Sequence, residues 1–258
     1  NELDFLNLMF PETLYEEIAT ETNRYAAEKI QGQCDGDPRW NPMTADEIRA
    51  YFGILIVMGI VNLPNQSLYW TTDSLFAATG IPHRLPRERF EKISQYFHVN
   101  DVPQNPNRNQ DGHDKLAHVR NVLDTVIPCF KREYNPHKEL SIDEAMIAWT
   151  GRLSFKQYCP MKPTKRGIKS WSRADPHNGY TSFLQVYTGK VRGQPEKGLG
   201  ARVVKDLSRD LVGKNYHLYM DNFFTSPVLF TELQNDGILA CGTVRTNRVG
   251  FPQDLAKL

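Results

Sequence analysis

The chain has 258 residues, 40% hydrophobic and 24% charged, enough to bury one large core or two ordinary ones. No apolar run approaches the ~20 residues that cross a bilayer, which excludes a helical membrane span and a membrane partner. Cys34, Cys129, Cys159 and Cys241 are too scattered for a disulfide framework or a metal-ligand pair, and they point to a reducing compartment. The net charge of +1 says little as a total, but the seven Lys and Arg of residues 151–174 face no Asp or Glu within that segment. With no Met at Asn1 and no natural ending at Leu258, the chain reads as a piece of a longer protein.

Residues 1–138 read as helical. "FPETLYEEIATETNRYAAEKI" sets Leu14, Ile18 and Tyr25 at roughly helical spacing, and "CDGDPRWNP" ends it. "TADEIRAYFGILIVMGIVNLP" opens on a capping box, Thr44 with Glu47. Its expected core face is Ile48, Phe52, Leu55, Ile56 and Ile60. Past Tyr51 it is apolar nearly all round, as a central buried helix is. "RLPRERFEKISQYFHV" and a segment from about Asp114 to just before Asn135-Pro136 give two more helices.

From residue 139 to 258 the period changes. "ELSIDEAMIAW", "SFKQYC", "GIKSWSRA" and "YTSFLQVYTGK" read as strands, with a turn at "DPHNG". "GLGARVVKDLSRDL" reads as a helix and "YHLYMDNFFT" as a strand. "SPVLFTELQNDG" reads as a helix with Ser226 as N-cap, Pro227 in its first turn and Gly237 past its end. "ILACGTVR" closes as a strand. Strands in succession, then alternating helix and strand, describe an α/β, overall α+β, protein: a mixed sheet with flanking helices behind an all-α region.

Asp143 and Glu144 stand in the middle of a strand that reads as buried. A buried carboxylate is costly unless paired, hydrogen-bonded or metal-bound, and alternation sends the two acids to opposite faces. Asp221 stands where a later strand ends. Read alone, it fits equally a capping or solvated acid. Two such acids at strand ends of one sheet can hold divalent ions through hard oxygen donors. The basic segment follows the Asp143 strand directly. Arg152, Lys156, Lys162, Lys165, Arg166, Lys169 and Arg173, interleaved with Phe155, Tyr158 and Trp171, suit a phosphate backbone.

"SIDEAMIAWTGRLSFKQYCPMKPTKRGIKSWSRADPHNGYTSFLQVYTGK" resembles the catalytic core of piggyBac-type transposases. The shared features are the strand Asp, the GR, the Y-x-P-x-KP-x-K-x-GIK block and the YTGK ending. "YMDNFFTSPVLFTELQNDGILACGTVRTNR" resembles that family's second catalytic block, and "TNRYA" its start. The resemblance implies an RNase H-like core that cuts and joins double-stranded DNA with three aspartates and Mg²⁺ or Mn²⁺. Asp143 matches the first acid and Asp221 the second; the third and a zinc-binding tail lie beyond Leu258 in relatives. It further implies transposon ends and TTAA-type targets as partners, Arg245 and Arg248 as further DNA contacts, a homodimer at full length with residues 1–138 as dimerisation and DNA-binding region, and nuclear localisation. Two functions follow: a metal-dependent transposase core, or a transposase-derived DNA-binding protein without catalysis.

Overall fold

Thr44 and Glu47 cap their helix reciprocally: the Thr44 hydroxyl accepts from the Glu47 N–H, and the Glu47 carboxylate accepts from the Thr44 N–H. The computed structural model describes residues 2–32, 34–73, 75–76, 80–102, 105–108, 110–190, 194 and 196–255. The chain divides into two compact units, Asn1–Val126 and Ile127–Leu258.

The first unit is built from α1 (Glu2–Met9), α2 (Glu12–Gln31), α3 (Ala45–Ile60) and α4 (Arg87–Tyr96); α5 (Arg120–Arg132) runs across the boundary. Its core joins Leu14, Tyr15 and Ile18 of α2, Ile48, Tyr51 and Ile54 of α3, and Phe90 and Ile93 of α4. Full burial of Ile18, Ile48 or Ile93 contributes about 1.5–3 kcal/mol each. Helix α3 is not the central buried helix its composition suggests. Its buried stripe is Ile48, Tyr51 and Ile54; Leu55, Ile56 and Ile60 are exposed and Phe52 is half-buried. When every position is apolar, the pattern cannot say which stripe meets a neighbour, and α2 and α4 pack on the Ile48, Tyr51 and Ile54 stripe.

The second unit is a six-stranded mixed sheet with helices on one face. Its strands are β1 (Glu139–Ala148), β2 (Gln157–Tyr158), β3 (Arg166–Ala174), β4 (Thr181–Val186), β5 (His217–Met220) and β6 (Leu239–Gly242). β3 runs antiparallel to β1 and pairs on its far side with β2 and then β4. β5 joins β1 in parallel and β6 joins β5 in parallel. Each parallel crossover needs a helix: α6 (Leu199–Ser208) precedes β5, and α7 (Pro227–Asn235) connects β5 to β6. The Ser226 hydroxyl caps α7 by accepting from the Leu229 N–H at 3.2 Å, and Gly237, at φ 69°, turns the chain into β6. Leu140, Ile142, Trp171, Leu218 and Met220 form the core face under Val203, Val204 and Leu207 of α6 and Leu229 and Leu233 of α7. This is the RNase H-like sheet behind a helical region that the sequence implies. No described helix is long and apolar enough to cross a membrane.

Asp175, wholly buried, ties the segment before β1 to the sheet. It accepts from the Tyr134 hydroxyl (2.8 Å), the His137 N–H (2.9 Å), the His137 ring (2.8 Å) and the His177 N–H (3.0 Å). Burial pushes its carboxyl up, but these donors outweigh burial and hold it well below the usual carboxylate range.

Candidate functional site

The register of β1 and β5 decides where the two candidate acids stand. The parallel ladder ends at Ile142 opposite Met220. Asp143 and Asp221 are the next residue on each side. Ile142 and Met220 both point into the core, and alternation along β1 sends Asp143 to the opposite face, while Asp221 opens the turn that follows β5. The acids therefore each stand one residue past the last β1–β5 pair, where β5 stops and β1 continues with β3 alone. The carboxyl ends of parallel strands are where open α/β sheets bind ligands.

Both carboxylates are exposed, which corrects the reading of Asp143 as an acid inside a buried strand. Only the first half of β1 is in the core; Ile147 is 55% exposed and Trp149, just after it, 44%. The apolar run outlasts the β5 pairing, and its second half is paired with β3 alone. Asp143 accepts one bond through Oδ1, from the Glu144 N–H at 2.7 Å. Asp221 accepts one through Oδ1, from the Phe223 N–H at 2.9 Å. Among the described residues the second oxygen of each has no hydrogen-bond partner, and neither acid is in an ion pair. Free carboxylate oxygens on neighbouring strands fit a hard divalent cation such as Mg²⁺ or Mn²⁺. No three His, Cys, Asp or Glu among the described residues converge on one metal position.

Glu144, on the other face, is spoken for. Lys169 approaches it at 3.5 Å and Lys162 at 3.7 Å. Adjacent acids thus divide: one neutralised by lysines, one left free.

The basic residues divide as well. Arg173 is 1% exposed and cannot meet DNA. Its guanidinium donates to both Asp210 oxygens (2.7 and 3.1 Å), the Leu207 carbonyl (2.8 Å) and the Ser182 hydroxyl (2.9 Å). It cross-links β3 to the helical layer. Lys169 is half-buried on the core face, with its ammonium over the Phe223 and Trp171 rings. Lys162 donates to the Glu144 carbonyl as well. Arg152, Lys156, Lys165 and Arg166 are exposed, with Arg166 over the Tyr158 ring at 5.3 Å. Arg245 is exposed and donates to the Asn222 side chain at 3.0 Å. Arg248 is partly buried and donates to the Asn222 and Phe223 carbonyls, each at 2.8 Å.

Two glycines that the sequence reading passed over shape the Asp221 turn. A Cβ on Gly242 would lie 2.3 Å from the Met220 carbonyl oxygen and 2.6 Å from the Thr225 hydroxyl. One on Gly200 would lie 2.8 Å from the Phe223 carbonyl oxygen. Both allow backbone to pass where no side chain fits. The sequence signals were "GLGA" inside a helix pattern and the Gly that ends the last strand.

Comparison with known proteins gives one consistent answer. The model of a family described as Transposase IS4 matches residues 1–258. Human PiggyBac transposable element-derived protein 2 is 29% identical over 97% of the chain, and human PiggyBac transposable element-derived protein 3 is 31% identical over 98%. The chain spans 42% of the length of each. The cryo-EM structure of a piggyBac transposase synaptic complex with hairpin DNA superposes with a TM-score of 0.83 and 28% identity, over 97% of this chain and 52% of that one.

Proposed function

The chain belongs to the piggyBac-type transposase family, and from that premise we propose that it is the core of a metal-dependent enzyme that cleaves and joins DNA strands. The observation that carries this reading is the free pair, Asp143 beside Asp221, one step past the β1–β5 ladder. The solved relative is a complex with hairpin DNA, which supports double-stranded DNA as the partner.

In this reading Asp143 and Asp221 hold Mg²⁺ or Mn²⁺ through their unengaged oxygens. A divalent ion bound there supplies charge stabilisation to the oxygens of a phosphodiester under displacement. The chain's own residues do the rest. The Asp221 turn keeps one oxygen of its carboxylate bonded to the Phe223 N–H and leaves the other for the ligand. Arg152, Lys156, Lys165, Arg166 and Arg245 offer exposed positive charge to the phosphate backbone, which fixes DNA without reading its bases. Transposon ends with TTAA-type targets, a homodimer of the longer protein and nuclear localisation belong to the same proposal.

A second reading, a DNA-binding protein without catalysis, keeps the basic surface and makes the acids idle. The two separate in a paired gel-shift and strand-cleavage assay on the full-length protein, with and without EDTA. The proposal expects Mg²⁺- or Mn²⁺-dependent cleavage that Asp143→Asn or Asp221→Asn abolishes, with DNA binding retained. Binding with no cleavage by the unaltered protein supports the second reading. Cleavage that survives either substitution or chelation removes the pair from the mechanism.

A further inference from the structure

Arg245 and Arg248 lie three residues apart in "RTNR", and charge alone gives them one role. Their surroundings differ. Arg245 is exposed, with one bond to the Asn222 side chain. Arg248 turns inward: its Nη2 donates to two successive backbone carbonyls, Asn222 and Phe223, each at 2.8 Å. Its Nε–H is buried and has no acceptor among the described residues. An arginine whose only task was to meet phosphate would rotate that N–H into water, since a buried unpartnered donor is destabilising. Arg248 keeps it buried while holding the two carbonyls.

Those carbonyls belong to the turn that presents Asp221. The rest of that turn is fixed by other means. The Thr225 hydroxyl and the Phe224 and Thr225 N–H groups return to the Asp221 carbonyl, Phe224 is in the core, and Gly200 and Gly242 let the backbone pack without a Cβ between. The Phe223 N–H bonds the Asp221 carboxylate, so rotation of the 222–223 peptide planes would swing the ligand oxygen. These are the planes that Arg248 pins.

We propose that Arg248 is a positioning residue: its guanidinium fixes the turn that aims the Asp221 carboxylate, while Arg245 is the cation that faces nucleic acid. This rests on the metal-site reading of Asp143 and Asp221 for its consequence, though the clamp itself is a property of the fold.

The test compares Arg248→Ala, Arg248→Gln and Arg245→Ala by three measurements: Mn²⁺ binding followed by electron paramagnetic resonance, the salt dependence of binding to a random duplex, and amide hydrogen exchange at Phe223 and Thr225. Arg248→Ala is expected to weaken Mn²⁺ binding five-fold or more and to speed exchange at both amides. Arg248→Gln keeps donor N–H groups without the charge, and should restore much of both. Arg245→Ala should change Mn²⁺ affinity less than two-fold and lower the salt slope by about one. A loss of salt slope in Arg248→Gln equal to that in Arg245→Ala, with Mn²⁺ affinity intact, overturns the proposal. Should the unaltered protein bind no Mn²⁺, the metal-site reading fails by itself; exchange then decides the clamp, which is refuted by unchanged protection in Arg248→Ala.

Discussion

Arg173 gives the sharpest test of how the basic segment is divided. Arg173→Met keeps an unbranched apolar stem and removes the guanidinium. The Asp210 carboxylate then loses two bonds, at 2.7 and 3.1 Å, and keeps Lys131 at 3.7 Å. The Leu207 carbonyl and the Ser182 hydroxyl lose their donor too. Breaking a buried pair on one side costs about 3–5 kcal/mol. Asp210 retains about a third of its exposure, so water recovers part of this and about 3 kcal/mol is expected. For a unit of this size that lowers Tm by about 10 °C. The assay is thermal unfolding followed by circular dichroism, paired with DNA titration at several salt concentrations below the transition. The variant should unfold early yet keep the unaltered salt slope. A Tm within about 3 °C of the parent, together with a salt slope lower by about one, would show that Arg173 meets phosphate and that its burial is misread.

Lys165→Ala with Arg166→Ala should flatten the salt slope by up to about one unit per residue, while Lys162→Ala, already committed to Glu144, should change it little; fluorescence anisotropy across a salt series decides this. Gly200→Ala and Gly242→Ala should each destabilise by about 1–3 kcal/mol, read by urea unfolding, because the added Cβ meets backbone rather than a movable side chain. Asp175 has a folded-state carboxyl held below its unfolded range, so its stabilisation is complete above about pH 4 and fades as pH falls further. Unfolding free energy against pH should therefore fall less steeply below about pH 4 in Asp175→Asn than in the parent; parallel curves would refute the assignment.

The strands and helices were legible where pattern and punctuation agreed. Ser226, Pro227 and Gly237 bracket a helix by capping chemistry, and Thr44 with Glu47 open one, because these signals act within a few residues. The two sequence blocks singled out Asp143 and Asp221, and the fold sets both one residue past the β1–β5 ladder. The sequence could not show that β5 ends one residue before Asp221, which is what leaves both acids in the open. The α3 stripe was misread because an apolar surround carries no direction. Arg173 was misread because charge counts are blind to partners: Asp210 lies 37 residues away in sequence and reaches it only through the fold. Lys169 and Arg248 are likewise turned inward, by the Phe223 ring and by two backbone carbonyls that no local spacing predicts.

Asp143 and Asp221 are proposed to act together as one metal-binding pair. A crystal of the protein soaked in MnCl₂ and measured at a wavelength where manganese scatters anomalously tests it most directly. An anomalous peak is expected between the two carboxylates, bonded to the oxygen of each that lies free of the Glu144 and Phe223 N–H groups, with no such peak in Asp143→Asn or Asp221→Asn. A peak held by other residues, or one at either aspartate that persists when the other is changed, would contradict it.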